Sequence, residues 1–139
     1  MTTPKSIHHV DLVVSSLERS LPFYRDLLRP LGYTRSSKVE GERGEDIWYL
    51  GGAAGGAIGL REAQTAGGYD RYRVGIHHLA VRASSREQVE ERHRWALEHG
   101  AEIESPPREY GYMPGYYAFF FYDPDGIKLE VVHVPPRAE

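Results

Sequence analysis

Apolar and polar positions alternate with period two at residues 7–14, IHHVDLVV, and again at residues 76–83, IHHLAVRA, 69 positions later. Alternation of that kind predicts a half-buried strand at each place. Just beyond each run the period changes. Leu17, Leu21, Tyr24 and Leu28 stand at i, i+4, i+7 and i+11, and Val89, His93, Ala96 and Gly100 keep that spacing with weaker apolar character. A helix is therefore predicted in both halves. Ser15-Ser16-Leu17-Glu18 and Ser84-Ser85-Arg86-Glu87, again 69 apart, have the Ser-x-x-Glu form of a capping box at a helix start. Gly32 and Gly100 fall where a left-handed residue closes a helix. Pro22 removes one backbone donor, which predicts a distortion near the start of the first helix.

Three strand-like runs come after each helix. They are Tyr33–Val39, Asp46–Leu50 and Ala57–Glu62 in the first half, and Ala101–Glu104, Tyr116–Tyr122 and Ile127–Val134 in the second. Glycine pairs, Pro106-Pro107 and Pro124-Asp125-Gly126 punctuate them. Each half reads strand–helix–strand–strand–strand, an α+β pattern, and the polar stretch 64–73 with Gly67-Gly68 reads as a linker. A unit of this size buries little alone. Two modules, about residues 5–64 and 74–135, are therefore expected to form one domain.

Composition narrows the class. With 40% hydrophobic and 27% charged residues, the chain has the balance of a globular protein. A formal net charge of −3, with basic residues scattered, gives no reason to expect a nucleic acid or an anionic membrane as partner. No apolar run is long enough to span a bilayer, and no signal-peptide pattern opens the chain. There is no cysteine, which fits a cytoplasmic location and excludes disulfides and thiolate ligands. A metal would have to be held by imidazole, carboxylate or other oxygen donors.

His9, His78 and Glu130 are the residues that suit that task. His9 and His78 hold equivalent positions in the two modules, and a pseudo-twofold arrangement would set them opposite one another. Glu130 lies in Ile127-Lys128-Leu129-Glu130-Val131-Val132, with Leu129 and Val131 on the other face of the strand. Two imidazoles and a carboxylate can bind one face of a divalent ion and leave positions open for substrate. By strand parity, His8 and His77 are expected to point away from such a centre.

The sequence resembles the vicinal oxygen chelate superfamily, which includes glyoxalase I, fosfomycin- and bleomycin-resistance proteins and extradiol dioxygenases. The carriers of the resemblance are IHHVDLVVSSLERSLPFYRDLL at 7–28, GIHHLAVRASS at 75–85 and FFFYDPDGIKLEVV at 119–132. They span nearly the whole chain. The resemblance implies two βαβββ modules whose curved mixed sheets enclose a cleft with one divalent ion (Zn, Ni, Fe, Mn or Co). It assigns His9, His78 and Glu130 as ligands, and it implies a homodimer and a small substrate bound through neighbouring oxygens.

Departures from the family pattern sort the candidate activities. Aligning Gly56 with Gly126 sets Leu60 opposite Glu130, where glyoxalase I-type members usually carry an acidic fourth ligand; a two-residue shift would bring in Glu62. The extradiol pattern needs a histidine at 111–113, where the chain has Gly111, Tyr112 and Met113. Potassium- and phosphonate-binding features of fosfomycin-resistance enzymes are not recognisable. Lyase or isomerase chemistry of the lactoylglutathione-lyase kind is the first expectation and dioxygenase chemistry the second. The alternative outside enzymes is a drug- or metabolite-binding resistance protein. Arg108–Tyr117, with four tyrosines among Gly and Pro, reads as a loop flanking the cleft. Glu62 and Tyr112 are expected to act in catalysis, the one as a base and the other as a hydroxyl donor. Leu60, Arg61, Tyr110, Tyr116 and Phe119 are expected to contact substrate.

Overall fold

The structure, a computed structural model, describes residues 7–136. The expected start of the first module at residue 5 lies outside the described residues. The chain divides into two compact units, the first ending at Gly67 and the second beginning at Gly68. The first runs β1 (Val10–Val14), α1 (Leu17–Leu28), a 3-10 turn (Arg29–Leu31), β2 (Arg35–Glu40), β3 (Asp46–Gly51) and β4 (Ala57–Glu62). The second repeats it as β5 (Leu79–Arg82), α2 (Arg86–Glu98), β6 (Ile103–Glu109), β7 (Tyr117–Tyr122) and β8 (Lys128–His133). The sheets have strand orders β1-β4-β3-β2 and β5-β8-β7-β6. In each, the first strand pairs in parallel with the last and the other pairings are antiparallel. The fold is α+β, two βαβββ modules.

Alternation along β1 assigns the faces. Leu12 and Val14 are buried, whereas Asp11 and Val13 lie on the opposite face. Leu12 and Val14 meet the core of the first unit, built with Tyr24, Leu27, Leu28, Leu50 and Ile58. In the second unit Val81, Val89, Ala96, Phe121, Leu129 and Val131 do the same. Burial of such side chains contributes roughly 1.5–3 kcal/mol each.

Three local expectations are corrected. The helix caps are Ser16 and Ser85, whose hydroxyls accept from Arg19 and Gln88 amides at 3.3 and 3.0 Å, one residue later than the Ser-x-x-Glu frame. Gln88 Oε1, instead of Glu87, reaches back, to the Ser84 amide at 2.7 Å. β6 also runs on through Pro106-Pro107, where the sequence suggested a break. It is an edge strand, and its pairing with β7 slips between Ser105 and Arg108. Prolines there remove no ladder donor the sheet needs.

Candidate functional site

In the second unit a cavity of about 480 Å³ is lined by His77, His78, Tyr110, Tyr112, Tyr116, Phe120 and Glu130, with Glu104, Ser105, Arg108 and Lys128 around them. Glu130 is the buried charge of this cavity, 2% exposed, set between Leu129 and Val131 on β8. A carboxylate so enclosed is unfavourable unless each oxygen has a partner. His78 Nε2 lies 3.1 Å from Oε1 and the Tyr116 hydroxyl donates to Oε2. Burial, and then the carboxylate it donates to, raises the Tyr116 hydroxyl far above the usual tyrosine range, so it stays a donor. Tyr110 and Tyr112 stack in parallel with centroids 5.4 Å apart, and Phe120 and Tyr116 meet Tyr110 edge-on. Lys128 Nζ sits 4.8 Å over the Phe120 ring and 2.7 Å from Glu104.

The first unit has its own cavity, about 670 Å³, lined by His8, His9, Arg35, Ser36, Ser37, Tyr49, Gly51 and Ala57. Beside it Asp11 takes a hydrogen bond from the Tyr49 hydroxyl at 3.0 Å and a 2.5 Å ion pair from Arg61, both on Oδ2. The bond to Asp11 raises the Arg61 guanidinium, and burial followed by Asp11 raises the Tyr49 hydroxyl. His9 Nε2 faces the other oxygen, Oδ1, at 4.0 Å.

The sequence model of the Glyoxalase/Bleomycin resistance protein/Dioxygenase superfamily matches residues 6–131. The chain belongs to this superfamily. It is 34% identical over 131 residues to the uncharacterized protein YqjT of Bacillus subtilis (strain 168), covering 91% of this chain and 97% of that one. Among solved structures it resembles a glyoxalase/bleomycin resistance protein from Albidiferax ferrireducens T118, at 26% identity and TM-score 0.73 over 92% of this chain and 98% of the other. The fosfomycin resistance protein FosX from Listeria monocytogenes shares the fold, with TM-score 0.66 and 18% identity over 95% of each chain.

Superfamily members typically hold a divalent metal. Among the described residues no group of three or more His, Asp and Glu side chains gathers closely enough for an ion. The donors stand in pairs instead. Two ligands at about 2.1 Å from an ion lie roughly 3.0–3.4 Å apart for right-angle to tetrahedral geometry. The 3.1 Å between His78 Nε2 and Glu130 Oε1 fits that spacing, so this donor pair fits the group.

Placement of the remaining residues of this superfamily member departs from the sequence reading in several ways. His8 and His77 do not turn away: each lines the same cavity as its neighbour, with Nδ1–Nδ1 contacts of 2.8 Å in both doublets. The doublets precede β1 and β5, so strand parity does not govern them. Such a contact needs one ring to donate; with His78 Nε2 donating to Glu130, His78 Nδ1 accepts from His77 Nδ1, which fixes the ring. Phe119 is fully buried, stacked on Phe121 at 4.7 Å and 5.3 Å from the His93 ring. Its neighbour Phe120 lines the cavity. Leu60 is also fully buried, paired with Leu12. Glu62 accepts a hydrogen bond from the Leu17 amide at 3.1 Å, at the start of α1. Tyr110, Tyr112 and Tyr116 do line the second unit's cavity, and Arg61 is tied to Asp11 with Glu42 and Glu45 nearby. Asp11, Tyr49 and Phe120 were not among the candidate site residues; the single acid in the apolar run of β1 was the available signal for the first.

Proposed function

We propose that this protein is a metal-dependent enzyme that binds a small substrate through neighbouring oxygens, with His9, His78 and Glu130 as ligands of one divalent ion. The observation that carries the reading is the His78–Glu130 pair at 3.1 Å in an aromatic-walled cavity. A bound ion supplies Lewis-acid stabilisation of negative charge on substrate oxygen. The chain's own residues supply the rest. Tyr116 fixes the carboxylate's orientation through its second oxygen, His77 fixes the ring of His78, and Tyr110, Tyr112 and Phe120 offer faces to an apolar part of the substrate. Tyr112, 67% exposed and lining the cavity, would offer its hydroxyl as a donor to an entering ligand. Lyase or isomerase chemistry resembling that of lactoylglutathione lyase is our first reading and dioxygenase chemistry the second. The working form is a cytoplasmic homodimer, in keeping with a superfamily that binds small molecules and commonly pairs.

The test is elemental analysis of the purified protein, repeated after incubation with Ni, Zn, Mn and Fe(II), on wild type, His78→Ala and Glu130→Ala. We expect near-stoichiometric metal in the wild type and little in either variant. Near-zero metal in the wild type throughout would sink the proposal. The aromatic walls also suit a protein that sequesters a drug or metabolite, and stoichiometric ligand binding without turnover, unaffected by His78→Ala, would favour that reading.

A further inference from the structure

The two units place a carboxylate beside their histidine from different strands. Asp11 on β1 pairs with Gly59 on β4, whereas Ala80 on β5 pairs with Glu130 on β8. The offset of 69 that matches His9 with His78 also matches Asp11 with Ala80. The residue equivalent to Glu130 is therefore Gly59, not Leu60 as the glycine-anchored alignment of the two halves suggests. Two more residues separate Ala80 from Glu130 than Asp11 from Gly59, which is why a fixed offset misplaces it. Acid and small residue have exchanged strands: Asp over Gly in the first unit, Ala beside Glu in the second.

The surroundings match as well. Tyr49 pairs with Gly59 as Phe120 pairs with Glu130. His9 meets Tyr49 edge-on at 5.5 Å, and His78 meets Phe120 edge-on at 6.1 Å. In each unit a tyrosine hydroxyl holds one carboxylate oxygen, Tyr49 on Asp11 and Tyr116 on Glu130, while the histidine Nε2 faces the other. Gly59 leaves the room for this. A Cβ there would stand 2.6 Å from the Tyr49 ring and overlap the Asp11 carboxylate.

We propose that Asp11, through Oδ1, is a further ligand of the ion that His9 binds, taking in the first unit the part that Glu130 takes in the second. The inference rests on the metal-dependent reading above. An ion pair with Arg61 does not account for Asp11 by itself, because Arg61 and Tyr49 both use Oδ2. Oδ1 is closed to solvent and accepts no hydrogen bond among the described residues. A carboxylate oxygen in that condition is unfavourable, and a cation satisfies it. From 4.0 Å, His9 Nε2 and Oδ1 need to approach by roughly 0.6 Å to share an ion with tetrahedral geometry, which is within reach of a small side-chain rotation. Arg61 does not preclude this. Its charge is shared with Glu42 at 3.4 Å and Glu45 at 3.9 Å, and a ligating carboxylate is ordinarily held by such an outer partner.

The experiment compares Zn2+ affinity, by competition with a chromophoric chelator, and the visible spectrum with Co2+ in wild type, Asp11→Asn and Glu130→Gln. Asparagine keeps an acceptor for Arg61 and Tyr49 but loses the charge. We expect Asp11→Asn to weaken Zn2+ by about 10-fold or more and to change the Co2+ bands. Loss of affinity in Glu130→Gln with Asp11→Asn within about twofold of wild type overturns the role of Asp11 and leaves the metal-dependent reading intact. The reverse pattern keeps Asp11 as a ligand and removes Glu130 from its ion. A wild type that binds neither metal overturns both. Should Asp11→Asn not fold, a Zn-soaked crystal of the wild type decides: Oδ1 at about 2.0–2.2 Å from the ion supports the proposal, and Oδ1 beyond about 3 Å overturns it.

Discussion

Tyr116 and His93 are the single residues with the clearest consequences outside the histidine pairs. Tyr116→Phe removes the hydroxyl that satisfies Glu130 Oε2 and keeps the ring. It should cost about 1–3 kcal/mol, read as a lower urea midpoint with an unchanged m-value. His93 lies against Phe119, and burial holds its ring below the usual histidine range. The folded state therefore favours the neutral ring. The stability this contributes is complete above about pH 6.5 and is lost as pH falls below that toward the folded value. Unfolding free energy measured from pH 8 to pH 5 should decline less steeply in His93→Gln than in the wild type. A parallel decline in both proteins would mean that other groups carry the acid sensitivity.

At the scale of elements, β7 gives adjacent residues opposite duties. Phe119 faces α2 and Phe120 faces the cavity. Phe119→Ala should therefore cost about 3–5 kcal/mol, the usual loss for a buried ring. Phe120→Ala should cost less stability and instead weaken ligand binding; thermal melts with and without ligand separate the two. The order of elements was legible because period two gives way to period 3.6 at the same point in both halves, around Leu17 and Arg86. The placing of Glu130 opposite Leu129 and Val131 was legible too, from the alternation along β8. Features that depend on partners distant in sequence escaped. The path of β6 through two prolines depends on its place at the sheet edge, and the orientation of His8 and His77 depends on where β1 and β5 begin. The pairing of Asp11 with Gly59 depends on a ladder register that no local pattern encodes.

For the whole molecule, the question open to experiment is which copies of the chain supply a centre. If paired modules come from different subunits of a homodimer, co-expressed His9→Ala and Glu130→Ala chains form a heterodimer with one intact set of His9, His78 and Glu130. Such a preparation should regain about one ion per heterodimer where each variant homodimer has none. Failure to regain metal, with the heterodimer verified by mass, assigns all three ligands to one chain. Sedimentation as a monomer at micromolar concentration would count against dimerisation itself.

The exchange between Asp11-Gly59 and Ala80-Glu130 bears on how such centres change over time. Two residues side by side on neighbouring strands project to the same side of a sheet, so either can deliver a carboxylate to nearly the same point in space. A duplicated module then inherits a rung of the ladder instead of a column of an alignment. A ligand can cross from one strand to the next in two substitutions, one gaining an acid and one clearing its path. A comparison of sequences would record the loss of one residue and an unrelated gain many positions away. Whether a relative of this chain has kept its donors is therefore a question to put to pairs of facing positions, not to positions one at a time.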